Sequence, residues 1–317
     1  MIRIFYRDGA EIRLTQTESK FATTAKDNVL WIDLISPTGE EKRATEKFLG
    51  TEIQSRATAE EIESSSRFSE DDKAIYANTN FLSPADDEML MDAVSFILTD
   101  KTITTLREIP LRSFDTLQRK IQALPDQFPD GFTVFVEIMD KRVDLDADIV
   151  ELISKDVSQF SKRINQKEDI NEEFLLDINQ LQENAMFVRE NVVDKQRLIS
   201  NILKSKRCPK DSEIRDDLNV ILQDISSLIN HTNFAFERLE YLQETVVGLI
   251  NLQQNDIMKV FTLISLLLMP ATLLASFYGM NVTLPFADEW WAWISIFLVM
   301  VLLVFGIWFI FKRKKML

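Results

Sequence analysis

Two apolar runs in the last fifth of the chain constrain it most. Val260–Phe277 and Trp290–Phe311 are about 18 and 22 residues long, so as helices rising 1.5 Å per residue each can cross a hydrocarbon core of roughly 30 Å. The dozen or so residues between them are too few for a folded domain. The chain is therefore expected to be a large polar body attached to a two-helix membrane hairpin, with its function in that hairpin.

Charge narrows the partners. The chain has 317 residues and a formal net charge of −14. Residues 282–317 contribute +2, from Lys312, Arg313, Lys314 and Lys315 against Asp288 and Glu289, so residues 1–281 carry −16. Such a body repels nucleic acid and attracts cations. Cys208 is the single cysteine, which excludes an intramolecular disulfide and suits a reducing compartment. His231, the single histidine, has no neighbour at metal-ligand spacing and is read as structural or solvated. The N-terminus reads as a strand, without a signal-peptide apolar region. The basic cluster after the second run marks the inside face, so both termini are expected in the cytoplasm and the short, base-free loop outside.

Ahead of the membrane the chain changes character once. Residues 1–128 alternate strand and helix signals. Asp8-Gly9 is a hairpin turn between Ile2–Tyr6 and Glu11–Leu14. Val29–Ile35, Ile75–Leu82, Ala93–Thr99 and Thr102–Leu106 read as further strands. Thr38-Gly39-Glu40-Glu41 is a capping box opening a helix that stops at Gly50, and Pro110–Leu124 is a second helix. Beyond Pro129, Phe132–Ile164 and Ile170–Lys206 have helical periodicity with almost no Gly or Pro. After Cys208-Pro209, a helix capped by Asp211 or Ser212 runs to about Phe277, near 65 residues and about 100 Å. Its heptad stripe is Leu218, Ile221, Ile225, Leu228, Thr232, Ala235, Leu239, Leu242, Val246 and Leu249. That spacing demands packing along its length, against the two preceding helices or against copies of itself.

A different face of the same helix carries Glu244, Gly248, Asn251, Asn255, Met258, Thr262, Ser265, Met269, Thr272 and Ser276. Steps of four and three residues stack these positions on one side. The stripe holds every hydroxyl residue of the first apolar run. Small polar residues also serve helix packing in membranes. Amides at Asn251 and Asn255, below the membrane, suit an aqueous path better. Two helices cannot enclose a channel, so a pore requires a symmetric oligomer with this face toward the axis. The stripe has no carboxylate between Asn255 and Ser276, which fits an ion that keeps its waters, as magnesium does. Rings of Met258 and Met269 suit an apolar gate. Pro270 lacks an N–H and frees the carbonyl of Leu266.

Tyr278-Gly279-Met280-Asn281 after one span, a second span, and a basic tail resemble the CorA family of magnesium channels. Trp31-Ile32-Asp33-Leu34, Glu61-Ile62-Glu63 with Arg67-Phe68, and Thr104-Thr105-Leu106-Arg107-Glu108 are similar to recurrent segments of proteobacterial members. The resemblance implies a funnel-shaped homopentamer: an α/β cytoplasmic domain over 1–128, long-helix stalks over 129–257 and a pore-lining transmembrane helix over 258–278. It also implies an outer loop with the Gly-Met-Asn motif over 279–289, a second transmembrane helix over 290–311 and a basic cytoplasmic tail over 312–317. It makes Asn281 the ring that captures the hydrated cation, with Gly279 and Met280 shaping the mouth. Asn255, Met258, Met269 and Thr272 match pore positions of the family, and Phe261 sits where some members carry a pore leucine. One departure is the loop after the motif. Where many members have Met-Pro-Glu-Leu, this chain has Leu284-Pro285-Phe286-Ala287, and Asp288 and Glu289 are left to supply negative charge.

The implied function is uptake of Mg2+, with Co2+ and Ni2+ as further cargo, driven by the membrane potential across a bacterial inner membrane. No nucleotide motif, catalytic constellation or organic cofactor is expected. The resemblance also implies closure when cytoplasmic magnesium binds acidic sites between subunits, and Asp86, Asp87, Glu88, Asp216 and Asp217 are the candidates. Two alternatives stand: a proton-coupled zinc transporter of the related ZntB branch, and a membrane-tethered metal sensor. Met280 and the N-terminal segments weigh against the first. The hydroxyl stripe weighs against the second.

Overall fold

The computed structural model describes residues 1–53, 67–85, 88–166, 170–210, 212–280 and 289–313. They form two compact units, Met1–Gln243 and Glu244–Leu317.

The first unit is built on a seven-stranded sheet. Its strands are β1 (Ile2–Asp8), β2 (Glu11–Thr15), β3 (Val29–Ile35), β4 (Phe68–Glu70), β5 (Ile75–Ala85), β6 (Glu88–Leu98) and β7 (Ile103–Arg107), in the order β2-β1-β3-β7-β6-β5-β4. Only β3 and β7 are parallel; the other neighbours are antiparallel. The expected strands are all present. The β5–β6 hairpin is longer than expected, because its register continues through Pro84 opposite Met89, past a Ser-Pro that reads as a turn. The three-residue β4 is too short to leave a periodic signal.

Helix α1 (Gly39–Leu49) starts on the expected capping box. The Thr38 hydroxyl accepts from the Glu41 N–H at 3.2 Å, and the Glu41 carboxylate accepts from the Thr38 N–H at 2.8 Å. The helix stops at Gly50, whose φ of 75° only glycine adopts readily. One face of the sheet presents Ile2, Ile4, Ile32 and Leu34 to Phe48 of α1. Phe5 stacks on Trp31, which in turn meets Phe114 of α2 (Arg112–Ala123). Phe96 meets Phe135 of α3 (Gly131–Gln166) edge-on. Covered on both sides, β3 is buried at all seven positions, as a central parallel strand must be.

Two of the family-like segments meet at this parallel pair. The Trp31 indole donates to Thr105 Oγ1 at 3.0 Å, and Thr105 donates to Asp33 at 2.8 Å. Arg107 grips the same carboxylate, and its guanidinium lies 4.4 Å over the Phe114 ring. They form a buried scaffold in the sheet of the first unit. The third segment, Glu61–Glu63, lies outside the described residues.

Helices α4 (Glu172–Lys204) and α5 (Ser212–Tyr278) resolve the packing question left open by the heptads. Asn179 pairs with Gln243, Arg189 with Asn233, and Gln196 with Ser226. Ten and then seven residues up α4 match ten and then seven down α5, the signature of an antiparallel pair in fixed register. Within the first unit the α5 stripe from Leu218 to Leu242 is buried, so its in-chain partner there is α4. The second unit holds the remainder of α5 and α6 (Ala292–Arg313).

Candidate ion pathway

Both helices of the second unit contain a stretch long and apolar enough to cross a membrane, and neither stretch is buried within the chain. All ten stripe positions (Glu244, Gly248, Asn251, Asn255, Met258, Thr262, Ser265, Met269, Thr272 and Ser276) lie on α5 and are exposed. The less exposed positions of its membrane portion are Leu263, Leu266, Leu267, Pro270, Ala271 and Leu274. At 100° per residue these centre roughly 150° around the helix from the stripe. The polar face is thus turned away from whatever covers α5 within its own chain. Phe261 is exposed and sits at the edge of the stripe.

Two of the stripe hydroxyls are oriented by their own helix. Thr262 Oγ1 donates to the Met258 carbonyl at 2.7 Å, and Thr272 Oγ1 donates to the Leu268 carbonyl at 3.0 Å. With the proton committed backward, each oxygen offers only lone pairs outward. Met269 lies between them and Met258 one turn below Thr262, each 62% exposed. Helix α5 continues through Pro270. One turn below the apolar run, Lys259 pairs with Asp256 at 2.8 Å. The i, i+3 spacing of this pair is legible in the sequence.

At the top of α5 the Gly279 N–H still bonds the Ala275 carbonyl at 3.0 Å. A Cβ on Gly279 would stand 3.2 Å from that same oxygen, so a side chain would crowd the point where the chain leaves the helix. Met280 follows, exposed. Asn281 lies outside the described residues, as do Leu284 to Asp288.

Three of the five acidic candidates are among the described residues. Asp86 and Asp87 lie outside the described residues, and Glu88 opens β6 just after them. Asp216 and Asp217 are exposed near the start of α5. Among the described residues no three Asp, Glu, His or Cys side chains converge as metal ligands do.

A sequence profile described as CorA-like Mg2+ transporter protein matches residues 26–313. The magnesium transport protein CorA of Wolinella succinogenes is 32% identical, covering 100% of both chains. The solved structure of the complete CorA magnesium transporter from Methanocaldococcus jannaschii superimposes with a TM-score of 0.81 at 16% identity, covering 99% of this chain and 98% of its own. The ZntB cytoplasmic domain from Vibrio parahaemolyticus shares the fold at a TM-score of 0.56 and 13% identity, over 78% of this chain and 97% of its own.

Proposed function

The chain belongs to the CorA family of magnesium transporters, and from that premise we propose that it is a passive channel for magnesium entry. Residues 1–257 form its cytoplasmic part, 258–278 and 290–311 its spans in a bacterial inner membrane, and 279–289 its outer mouth. Both termini face the cytoplasm. A symmetric ring of chains, five by family likeness, turns the α5 stripe toward a common axis. Cobalt and nickel are admitted with magnesium.

The observation that carries this reading is the position of the stripe, exposed and opposite the covered face of α5. Its chemistry suits a hydrated cation. Waters bound to Mg2+ point their hydrogens outward, and magnesium gives those waters up reluctantly. The lone pairs of Thr262 and Thr272 and the amide oxygens of Asn251 and Asn255 accept those hydrogens without stripping the ion. Met258 and Met269 form apolar rings that close the path by excluding water. Asn281 captures the ion outside, with Gly279 leaving room at the turn. The membrane potential supplies the driving force, about 4.6 kcal/mol for a divalent ion at 100 mV. No catalytic group or organic cofactor enters this scheme.

Closure at high cytoplasmic magnesium follows if the ion bridges carboxylates of neighbouring subunits, since it then favours the arrangement that brings them together. Asp86, Asp87, Glu88, Asp216 and Asp217 are the groups we assign to that task.

The test is magnesium uptake into proteoliposomes under an inside-negative potential, wild type against Asn281→Ala. Uptake that follows the potential and is lost in a normally assembled variant supports the channel. Uptake of zinc that follows a proton gradient instead would overturn it in favour of a ZntB-like exchanger.

A further inference from the structure

A cleft of about 650 Å³ opens in the first unit where the start of β4 meets α4 and α5. Its charged lining is Arg67, Arg197 and Lys204 against one acid, Asp194. That is an excess of two positive charges on a body that carries −16.

Arg67 is the informative residue. Its side chain is only 15% exposed and spends Nη2 on Asp194 at 3.3 Å. Among the described residues its Nη1 is buried with no hydrogen-bond partner, and a native fold rarely leaves a guanidinium nitrogen so. Arg197, also in the lining, approaches the same carboxylate only to 3.8 Å and is 67% exposed. Lys204 is exposed and makes no ion pair among the described residues. The opposite wall is already satisfied: Gln196 donates to Ser226 Oγ at 3.0 Å, and Ser226 donates to the Leu222 carbonyl at 2.7 Å. The spare charged donors are those of the bases.

We propose that this cleft binds a phosphate-bearing anion. Two guanidinium forks match the spacing of oxygens on a tetrahedral oxyanion, and a lysine adds a point charge. Among the described lining residues a carboxylate is present only once, and it is already shared. A volume of this size holds a small organic phosphate rather than a bare ion alone. The surrounding negative field repels anions, so any that bind must be held by these local contacts. This site owes nothing to the ion pathway and is tested without transport.

The experiment is calorimetric titration of the purified full-length protein with inorganic pyrophosphate, in magnesium-free buffer at constant chloride. The variant is Arg197→Ala with Lys204→Ala, both exposed positions, with its thermal midpoint in the absence of ligand checked against wild type. Saturable binding weakened at least tenfold in a variant that unfolds at the wild-type temperature supports the site. Absence of saturable binding to wild type overturns it, and so does equal affinity in the variant. If the double variant fails to fold, Lys204→Gln alone carries the same comparison.

Discussion

Arg107 holds Asp33 by two parallel hydrogen bonds, Nε to Oδ1 at 3.0 Å and Nη2 to Oδ2 at 2.8 Å, and neither side chain is exposed at all. The third Arg107 nitrogen donates to the Ile109 carbonyl at 2.6 Å. The pair ties the two parallel strands together at the centre of the sheet. Removing one partner strands the other as a buried charge, at a cost of about 3–5 kcal/mol. Asp33→Ala is therefore expected to lower the thermal unfolding midpoint sharply, and Arg107→Lys to lower it by less, because an ammonium keeps the charge but cannot reproduce the fork. Scanning calorimetry of both variants checks this.

Gly131 opens α3 against the start of β7. A Cβ there would stand 2.4 Å from the Ile103 nitrogen and 2.6 Å from the Thr102 carbonyl carbon, both backbone atoms that cannot swing aside. Alanine usually stabilises a helix relative to glycine. Gly131→Ala is expected to do the reverse, losing about 1–3 kcal/mol through displacement of the helix from the sheet. Chemical denaturation gives the sign directly.

Lys195 on α4 is wholly buried, 2.8 Å from Asp146 of α3. Asn191 accepts from it and donates in turn to the Asn80 carbonyl of β5. Arg142 shares the Asp146 carboxylate, and Asp194 also acts on the lysine. Burial outweighs the attraction of Asp146 and lowers the Lys195 pKa from 10.5 to about 8, with the charge of Arg142 acting in the same direction. Between those two values the unfolded chain holds a proton that the folded chain has released, so this group makes stability rise with pH across the window from about 8 to 10.5. Below pH 8 both states are protonated and its contribution is flat. Lys195→Met should remove that slope, read as the difference between wild-type and variant unfolding free energies from pH 7.5 to 10.5.

Thr272 tests the stripe separately from the motif above it. Replacement by valine nearly keeps the volume and deletes the oxygen that faces away from the covered side. If one lost hydrogen bond to a passing hydrated ion raises the barrier by about 1.4 kcal/mol, uptake falls about tenfold. Proteoliposome flux, with assembly checked by size-exclusion chromatography, reads the effect. Thr272→Ser should stay near wild type.

Much of this was legible along the chain because it rests on local rules. The capping box at Thr38 and the glycine stop at Gly50 depend on residues within one turn. The 3-4 spacing of the stripe is a property of helix geometry alone. By contrast, Ser83-Pro84 looks like a turn, and only pairing across the sheet draws it into β5. Asp33 and Arg107 are separated by 74 positions, and no local pattern links them until β3 and β7 lie side by side. The cleft at Arg67 is still less visible, since its bases come from a strand edge and a helix and are few in a strongly acidic sequence.

The sequence by itself determined that two helices are long and apolar enough to cross a membrane, that a long helix leads into the first, and that this helix has one polar face. Those follow from hydropathy and period, which need no knowledge of neighbours. Only the tertiary structure decided that α4 takes the heptad face of α5 and that the polar face is left opposite the covered one. Several partners would satisfy an apolar stripe equally well, because burial is non-directional. The choice among them rests on specific contacts such as Asn179 with Gln243 and Arg189 with Asn233, which exist only once the chain has turned back on itself.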